Sequence, residues 1–417
     1  MSGRPFLQIP GPTNVPDRVL RAMDRAVIDH RGPEFAALVR GLLPDLARVF
    51  QTERGRVIVY PSSGTGAWEA SLVNVLAPGD RVLAFDYGHF SAGFAVDLVP
   101  LRWGQSVPAS AVAEHLRPEH RAVLVVHNET STGVRSDVRA VREAIDAKRS
   151  DALLIVDTVS SLGSMDFRFD EWRVDVALTG SQKGLMLPPG LGLVCVSPRA
   201  VDVAAKGGSP RNFFDWRPIL EDNAAGFFPY TPATLVLFGL REALDMLLAE
   251  GLDQVFARHH RLAEGVRAAA LAWGLGILCE EPAAYSDSLT AVVMPEGLDS
   301  NLLIARARDR FDLALGVGLG KLRGRVFRIG HLGALGELEI LATLGGVEMA
   351  LRECGHAVAL GTGVAAAEER FLVTEKTTAP AGPRAQRDPA SPSRRNAGAR
   401  PLATRRPRDR APRARSR

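Results

Sequence analysis

The stretch Val174–Leu185, VDVALTGSQKGL, carries a β-rich apolar run straight into a turn of small residues that contains a lysine. Val174–Thr179 reads as a buried strand, and Thr179-Gly-Ser-Gln-Lys183-Gly-Leu reads as the turn that leaves it. A lysine at such a strand end can reach a shielded cavity. Desolvation there lowers its pKa and frees the amine to attack a carbonyl as a Schiff-base nucleophile. The plain alternative is a solvated surface charge, because lysines are seldom buried.

Two neighbouring segments give this lysine a context. Ala152–Asp157, ALLIVD, is a second apolar strand, and it ends on a carboxylate. The C-terminal end of a parallel strand is where open α/β sheets bind ligands. Asp157 there either N-caps the next helix or faces the protonated ring nitrogen of an electron-sink cofactor. Upstream, Ser62-Ser63-Gly64-Thr65-Gly66 joins the strand Arg56–Tyr60, RVIVY, to a helix beginning near Ala67. Glycines let backbone N–H groups approach an anion, and a helix N-terminus favours its charge. Phosphate cradle, ring-nitrogen carboxylate and amine are the parts that a pyridoxal 5'-phosphate enzyme needs. A further glycine-rich stretch, Gly316–Lys321 (GVGLGK), lacks the Walker spacing and is followed by Leu322, so it is no P-loop.

Outward from this centre the pattern alternates. Arg81–Phe85 (RVLAF), Val123–His127 (VLVVH) and Gly192–Val196 (GLVCV) add strands, while Gly66–Val75 and Val138–Lys148 are amphipathic helix candidates. Near-continuous apolar strands separated by helices predict an α/β fold, a mostly parallel sheet covered on both faces. Pro232–Glu250 predicts a long helix stopped by Gly251, and Leu252–Trp273 a second one. Strand-like and helical pieces at 285–350, around Arg325–Ile329, predict a smaller α+β domain. The expected division is a segment 1–19, a large domain 20–250, a small domain 251–365 and a disordered tail 366–417.

Charge supports the last boundary. The chain has 417 residues, 51 Lys plus Arg against 47 Asp plus Glu, and a net charge of +4. Residues 376–417 hold Lys376 and twelve Arg against Asp388 and Asp409, a net +11, together with seven prolines. The first 375 residues carry 38 bases against 45 acids, a net −7. The tail cannot bury enough apolar surface to offset its ordering entropy. Cys195, Cys279 and Cys354 are far apart, which excludes a disulfide scaffold and suggests a reducing compartment. The start MSGRPFLQIPGPTNVP has no apolar core for a secretory signal, and no run of 18 apolar residues occurs. A cytoplasmic protein without a membrane partner is expected. The nine histidines show no HExxH or paired spacing, so no metal is expected.

The segments PGPTNVPDRVLRAM, VIDHRGPEF, PSSGTGAWEASLVN, HNETSTGV, VDTVSSLGS, TGSQKGLMLPPGLG, GFFPYTPAT, GLREALDMLL and VFRIGHLG occur in this order across roughly residues 7–365. In them the chain resembles the class V, fold-type I aminotransferases of the serine–glyoxylate/alanine–glyoxylate group. The resemblance implies a large domain with a seven-stranded, mostly parallel sheet, a smaller α+β domain, and pyridoxal 5'-phosphate as cofactor. It implies Lys183 as the catalytic Schiff-base lysine and Asp157 as the ring-nitrogen partner. Ser63, Gly64, Thr65 and Gln182 would cradle the phosphate, Phe90 would stack on the ring, and Ser131 would hydrogen-bond the cofactor. Thr231 matches the position that reaches the phosphate of the neighbouring subunit, which implies a homodimer. Arg328 would clamp the substrate carboxylate, and Thr13 and Asn14 would line the substrate entrance. The implied reaction is transamination between an amino acid and a 2-oxo acid, with L-serine and glyoxylate foremost and alanine or another donor as the alternative.

One place departs from the family. Between the strand RVLAF and the strand-like Val96–Leu101 only Gly88–Ala95 is available, whereas a parallel crossover usually takes a dozen or more residues. The chain is about ten residues short beside Phe90 on that standard, which raises a catalytically impaired homologue as an alternative. A further alternative of another class is a polyanion binder acting through the basic tail. The tail has no aromatic residue to stack a base and the body is acidic, so specific nucleic-acid binding is not expected.

Overall fold

Two sheets organise the chain, whose residues 5–91 and 97–373 are described in a computed structural model. Strand β1 (Phe6–Gln8) is followed by helices α1 (Asp17–Met23) and α2 (Pro33–Val49). Next come β2 (Arg56–Pro61), α3 (Gly64–Val75), β3 (Arg81–Asp86), β4 (Asp97–Pro100), α4 (Ala109–His115) and β5 (His120–Val126). A small hairpin of β6 (Asn128–Glu129) and β7 (Val134–Arg135) leads to α5 (Val138–Ala147). Strands β8 (Leu153–Asp157), β9 (Val176–Gly180) and β10 (Leu191–Val196) complete the first sheet. Helices α6 (Pro198–Lys206), α7 (Trp216–Ala225), α8 (Thr234–Glu250) and α9 (Leu252–Ala272) follow. The remainder is β11 (Gly276–Ile277), β12 (Leu289–Val293), α10 (Ser300–Phe311), β13 (Leu313–Val317), β14 (Val326–Gly330), α11 (Glu337–Glu353) and α12 (Thr362–Leu372).

The large sheet has seven strands in the order β2-β10-β9-β8-β5-β3-β4. All neighbours are parallel except β10, which runs antiparallel to both β2 and β9. Side chains of a strand alternate between faces, and here both faces are dry. Leu83, Phe85, Val123, Val125, Leu154 and Val156 enter one core, while Val82, Ala84, Ala122, Leu124, Leu153 and Ile155 enter the other. That is why these strands read as unbroken apolar runs. The edge pair β3–β4 is parallel, with Leu83 opposite Asp97 and Asp86 opposite Pro100, although only residues 87–96 connect the two strands. Strand β5 starts three residues earlier than expected because buried His120 takes part, its Nε2 2.9 Å from Asp97 Oδ2.

The second sheet runs β1-β13-β14-β12-β11. Its first strand comes from the start of the chain: Phe6 pairs with Leu313 and Gln8 with Leu315, in parallel. The 1–19 segment is thus part of the small sheet and delivers Pro10–Asn14 to the large one. Close packing fixes this strap, since a Cβ on Gly330 would lie 2.2 Å from Ile9 O.

Helix α12 corrects the expected disorder from 366. The boundary at 365 falls inside it, and the described residues form one unit through Val373. Glu348 on α11 accepts hydrogen bonds from Gly361 N at 2.7 Å and from Trp273 Nε1 at 3.0 Å, which anchors the start of the helix. Phe371 then covers Gly265 of α9 so closely that a Cβ there would meet its ring at 2.5 Å. Up to Arg370 the sequence is mainly alanine and charged residues of high helix propensity, with Phe371 and Leu372 only at its end, and small residues let α12 sit tightly on α9. The Arg/Pro-rich remainder, 374–417, lies outside the described residues. Among the described residues no helix is long and apolar enough to cross a membrane.

Candidate active site

Lys183 follows β9 by three residues, and its side chain is 9% exposed. Its Nζ donates to the backbone carbonyl of Pro10, and Gly11, at φ +95°, lies flat against its methylenes. A Cβ on Gly11 would come within 2.4 Å of Lys183 Cδ, so the strap tolerates only glycine there. Burial depresses the amine to about 8, and the Arg328 guanidinium adds to the effect while Asp157 opposes it.

Asp157 ends β8 beside the lysine and is itself buried. Its Oδ1 accepts from Val159 N at 2.7 Å and its Oδ2 from Trp68 Nε1 at 2.8 Å. Burial raises its pKa to about 6, those two donors pull it down, and the carboxylate of Glu129 pushes it up. The N-cap alternative for Asp157 does not hold, because among the described residues no helix lies between β8 and β9; one oxygen instead closes a local turn on Val159 N and the other holds the tryptophan.

The turn before α3 supplies the anion site. Ser63 caps the helix, accepting from Gly66 N at 3.3 Å. At the end of β9, a Cβ on Gly180 would lie 2.7 Å from Gln182 Oε1 and 3.2 Å from Gly64 N. Glycine therefore keeps open a cradle between the β9 turn and the helix start. Gln182 Oε1 is buried there without a hydrogen-bond partner among the described residues. A buried polar group left open in this way fits an absent polar ligand.

Ser63, Gly64, Thr65, Phe90, Asp157, Gln182 and Lys183 all line one cavity of about 210 Å³, together with Trp68, Val126, Asn128, Thr130 and Val159. Phe90 is 42% exposed and packs edge-on against His89 at 5.2 Å. The size, the anion cradle and the buried carboxylate fit a phosphorylated aromatic cofactor. Among the described residues no group of three or more His, Cys, Asp or Glu could hold a metal ion.

The other expected residues lie outside that lining. Ser131 faces away: its Oγ donates to Glu129 Oε1 at 2.7 Å and accepts from His89 N at 2.9 Å. Its predecessor Thr130 lines the cavity instead, bonded to Ser160 Oγ at 2.7 Å. Thr13 is tied to the lysine turn, its N donating to Gln182 O at 3.1 Å and its Oγ1 to Lys183 O at 3.2 Å. Asn14 Nδ2 donates to Leu7 O at 3.0 Å, bracing the strap. Thr231 is exposed on this chain. Arg328, on β14, is buried beside the site. Its Nη1 donates to Thr130 O at 2.8 Å and its Nε to Val317 O at 2.9 Å, and burial lowers its pKa to about 10.

The sequence reading does not single out Trp68, Asn128 and Thr130, which line the cavity, or Glu129, which holds the turn that carries Phe90. Trp68 had a usable signal: it lies four residues after Gly64, on the face of α3 directly above the cradle.

A depressed, buried amine next to a buried carboxylate and an anion cradle defines an enzyme for amine–carbonyl chemistry on an α/β scaffold. The aminotransferase class-V family model matches residues 6–303, and the chain belongs to that family. It is 49% identical over 386 residues to a serine–glyoxylate aminotransferase of Hyphomicrobium methylovorum, covering 89% of this chain and 95% of that protein. It is 47% identical over 379 residues to an L-aspartate–glyoxylate aminotransferase of Paracoccus denitrificans, covering 88% and 96%. Among solved structures, a pyridoxamine–pyruvate aminotransferase from Mesorhizobium loti superposes with a TM-score of 0.83 at 28% identity, covering 88% of this chain and 97% of that one. The fold is that of the fold-type I aminotransferases.

Proposed function

We propose that the chain transfers the amino group of L-serine to glyoxylate, giving hydroxypyruvate and glycine, with pyridoxal 5'-phosphate as cofactor. The observation that carries the reading is the convergence of Lys183, Asp157 and the Ser63–Thr65/Gln182 cradle on one cavity. When bound, the cofactor supplies a carbonyl for amine exchange and an electron sink for cleavage at the substrate Cα. Ser63, Gly64 and Thr65 hold its phosphate through the start of α3, aided by Gln182. Asp157, ionised above about 6, keeps the ring nitrogen protonated. With the cofactor bound, Lys183, its amine near 8 in the free chain, would act at Nζ as the base that takes the proton from the substrate Cα and gives it back. Arg328, its fork oriented by Thr130 O and Val317 O, binds the substrate carboxylate. Phe90 covers the ring at the cavity mouth, and the Pro10–Asn14 strap borders the entrance and excludes water.

Exposed Thr231 supports a homodimer in which it reaches the partner's site. Three free cysteines support a reducing compartment, the cytoplasm. Aspartate is the second reading for the donor, favoured by the 47% identical relative that uses it. Spectra of the cofactor-loaded protein, recorded while serine, alanine and aspartate are offered in turn, decide the donor. Conversion of the visible band by serine supports the proposal, and a response to aspartate or alanine alone reassigns it. Deleting 376–417 separates the enzyme from a tail-borne polyanion binder: transamination survives and heparin affinity disappears.

A further inference from the structure

Outside the lining of the cavity, one carboxylate ties its aromatic wall to its guanidinium. Glu129, on β6, has no exposed surface. Its Oε2 accepts from Phe90 N at 3.2 Å and Ser91 N at 2.9 Å. Its Oε1 accepts from Ser131 N at 3.0 Å and Ser131 Oγ at 2.7 Å, and that hydroxyl accepts from His89 N. Three successive amides, those of residues 89–91, thus end on Glu129 or on the hydroxyl that it holds. Gly88 packs on the same side chain, where a Cβ would lie 2.1 Å from Glu129 Cγ.

The next residue, Thr130, completes the link. It lines the cavity, and its carbonyl holds Arg328 Nη1. The charges that bear on Glu129 are Arg328, which opposes its negative charge, and Asp157, which repels it. A buried carboxylate is tolerated only when hydrogen bonds satisfy it, and here four donors from two segments do so. The short β3–β4 connection makes this anchorage matter, since the turn that carries Phe90 has only residues 87–96 between two sheet strands.

We propose that Glu129 is a positioning residue for the cofactor. Its carboxylate fixes the 89–91 turn so that Phe90 presents its ring to the cavity. The inference rests on the reading of that cavity as the cofactor site. Glu129→Gln in the full chain keeps the volume but turns an NH₂ toward backbone donors. Without cofactor, amide exchange at 89–91 is expected to quicken about tenfold, as for one lost hydrogen bond to a charged group, while exchange at 153–157 stays unchanged. The dissociation constant for pyridoxal phosphate is expected to rise about tenfold on the same grounds. In a Phe90→Ala background the substitution is expected to change it less than about twofold, because the route to the cofactor is already lost.

Ser131→Ala, which removes one donor and the acceptor for His89 N, is expected to shift both readouts in the same direction by a smaller factor. It serves as the test if Glu129→Gln does not fold. Unchanged exchange at 89–91, or an equal loss of affinity in both backgrounds, overturns the role given to Glu129. A wild-type chain that fails to bind pyridoxal phosphate overturns the cofactor reading and this role with it. Normal binding with unchanged exchange overturns the Glu129 role alone.

Discussion

Trp68 Nε1 donates a 2.8 Å hydrogen bond to Asp157 Oδ2, joining the first turns of α3 to the end of β8. The two residues stand 89 positions apart, and the bond is buried. It favours the ionised carboxylate, whose pKa burial still raises to about 6 against this bond and the one from Val159 N. Trp68→Phe keeps the ring and removes the donor. A hydrogen bond to a charged group contributes roughly 1.5–3 kcal/mol, and one pKa unit is about 1.4 kcal/mol. The acid limb of pyridoxal phosphate association, set by Asp157 near 6, is therefore expected to move up by about one to two units. An acid limb that stays in place would show that the bond does not support the charge.

Lys183→Ala is expected to leave the fold intact and stop turnover. A positioned general base alone contributes about 10²–10⁴-fold, and the amine that carries the cofactor is lost as well. The check is the rate with serine and glyoxylate alongside the visible absorbance of the loaded protein. Full turnover with the absorbance unaltered would remove Lys183 from the mechanism.

The same lysine gives a pH dependence of stability in the cofactor-free chain. Its folded pKa of about 8 lies below the ordinary 10.5. Between these values the unfolded chain holds the proton and the folded chain does not, so folding gains stability as pH rises. Relative to Lys183→Met, the wild type is expected to gain about 3 kcal/mol between pH 8 and 10.5, at about 1.4 kcal/mol per unit. Urea unfolding of both proteins across that range measures the difference. A constant difference would mean that the amine is not desolvated.

Much of this was legible because it is local. Apolar runs such as LLIVD, and the small-residue turn around Lys183, state their burial and their chemistry within a few residues. Lys183, Asp157 and the Ser63–Thr65 turn needed no long-range information to be singled out. The misses are pairings across the chain. Nothing local in Phe6–Gln8 says that it pairs with Leu313–Leu315, nor in Leu191–Val196 that it alone runs antiparallel in its sheet. The choice between Thr130 and Ser131 hinged on which way one turn faces, and buried Glu129 settled that by taking Ser131 for itself. Helix α12 is not legible locally because its large apolar residues come only at its end, and its burial rests on small residues such as Ala367 and on Phe371 closing over the distant Gly265.

That helix sets the boundary of the folded body. Ala367 is fully buried, Phe371 covers Gly265, and Glu348 receives the amides of Gly361 and Gly363. A chain ending at Val373 is expected to unfold at the same temperature as the full protein and to keep its activity. A chain ending at residue 365 strips Phe371 and Ala367 from α9 and bares part of the core behind Trp273. Removal of a large side chain from such a contact costs about 2–5 kcal/mol, so its unfolding midpoint is expected several degrees lower for a body of this size. Calorimetry of the two truncations beside the intact chain tests this. Equal midpoints for all three would place the boundary back at 365.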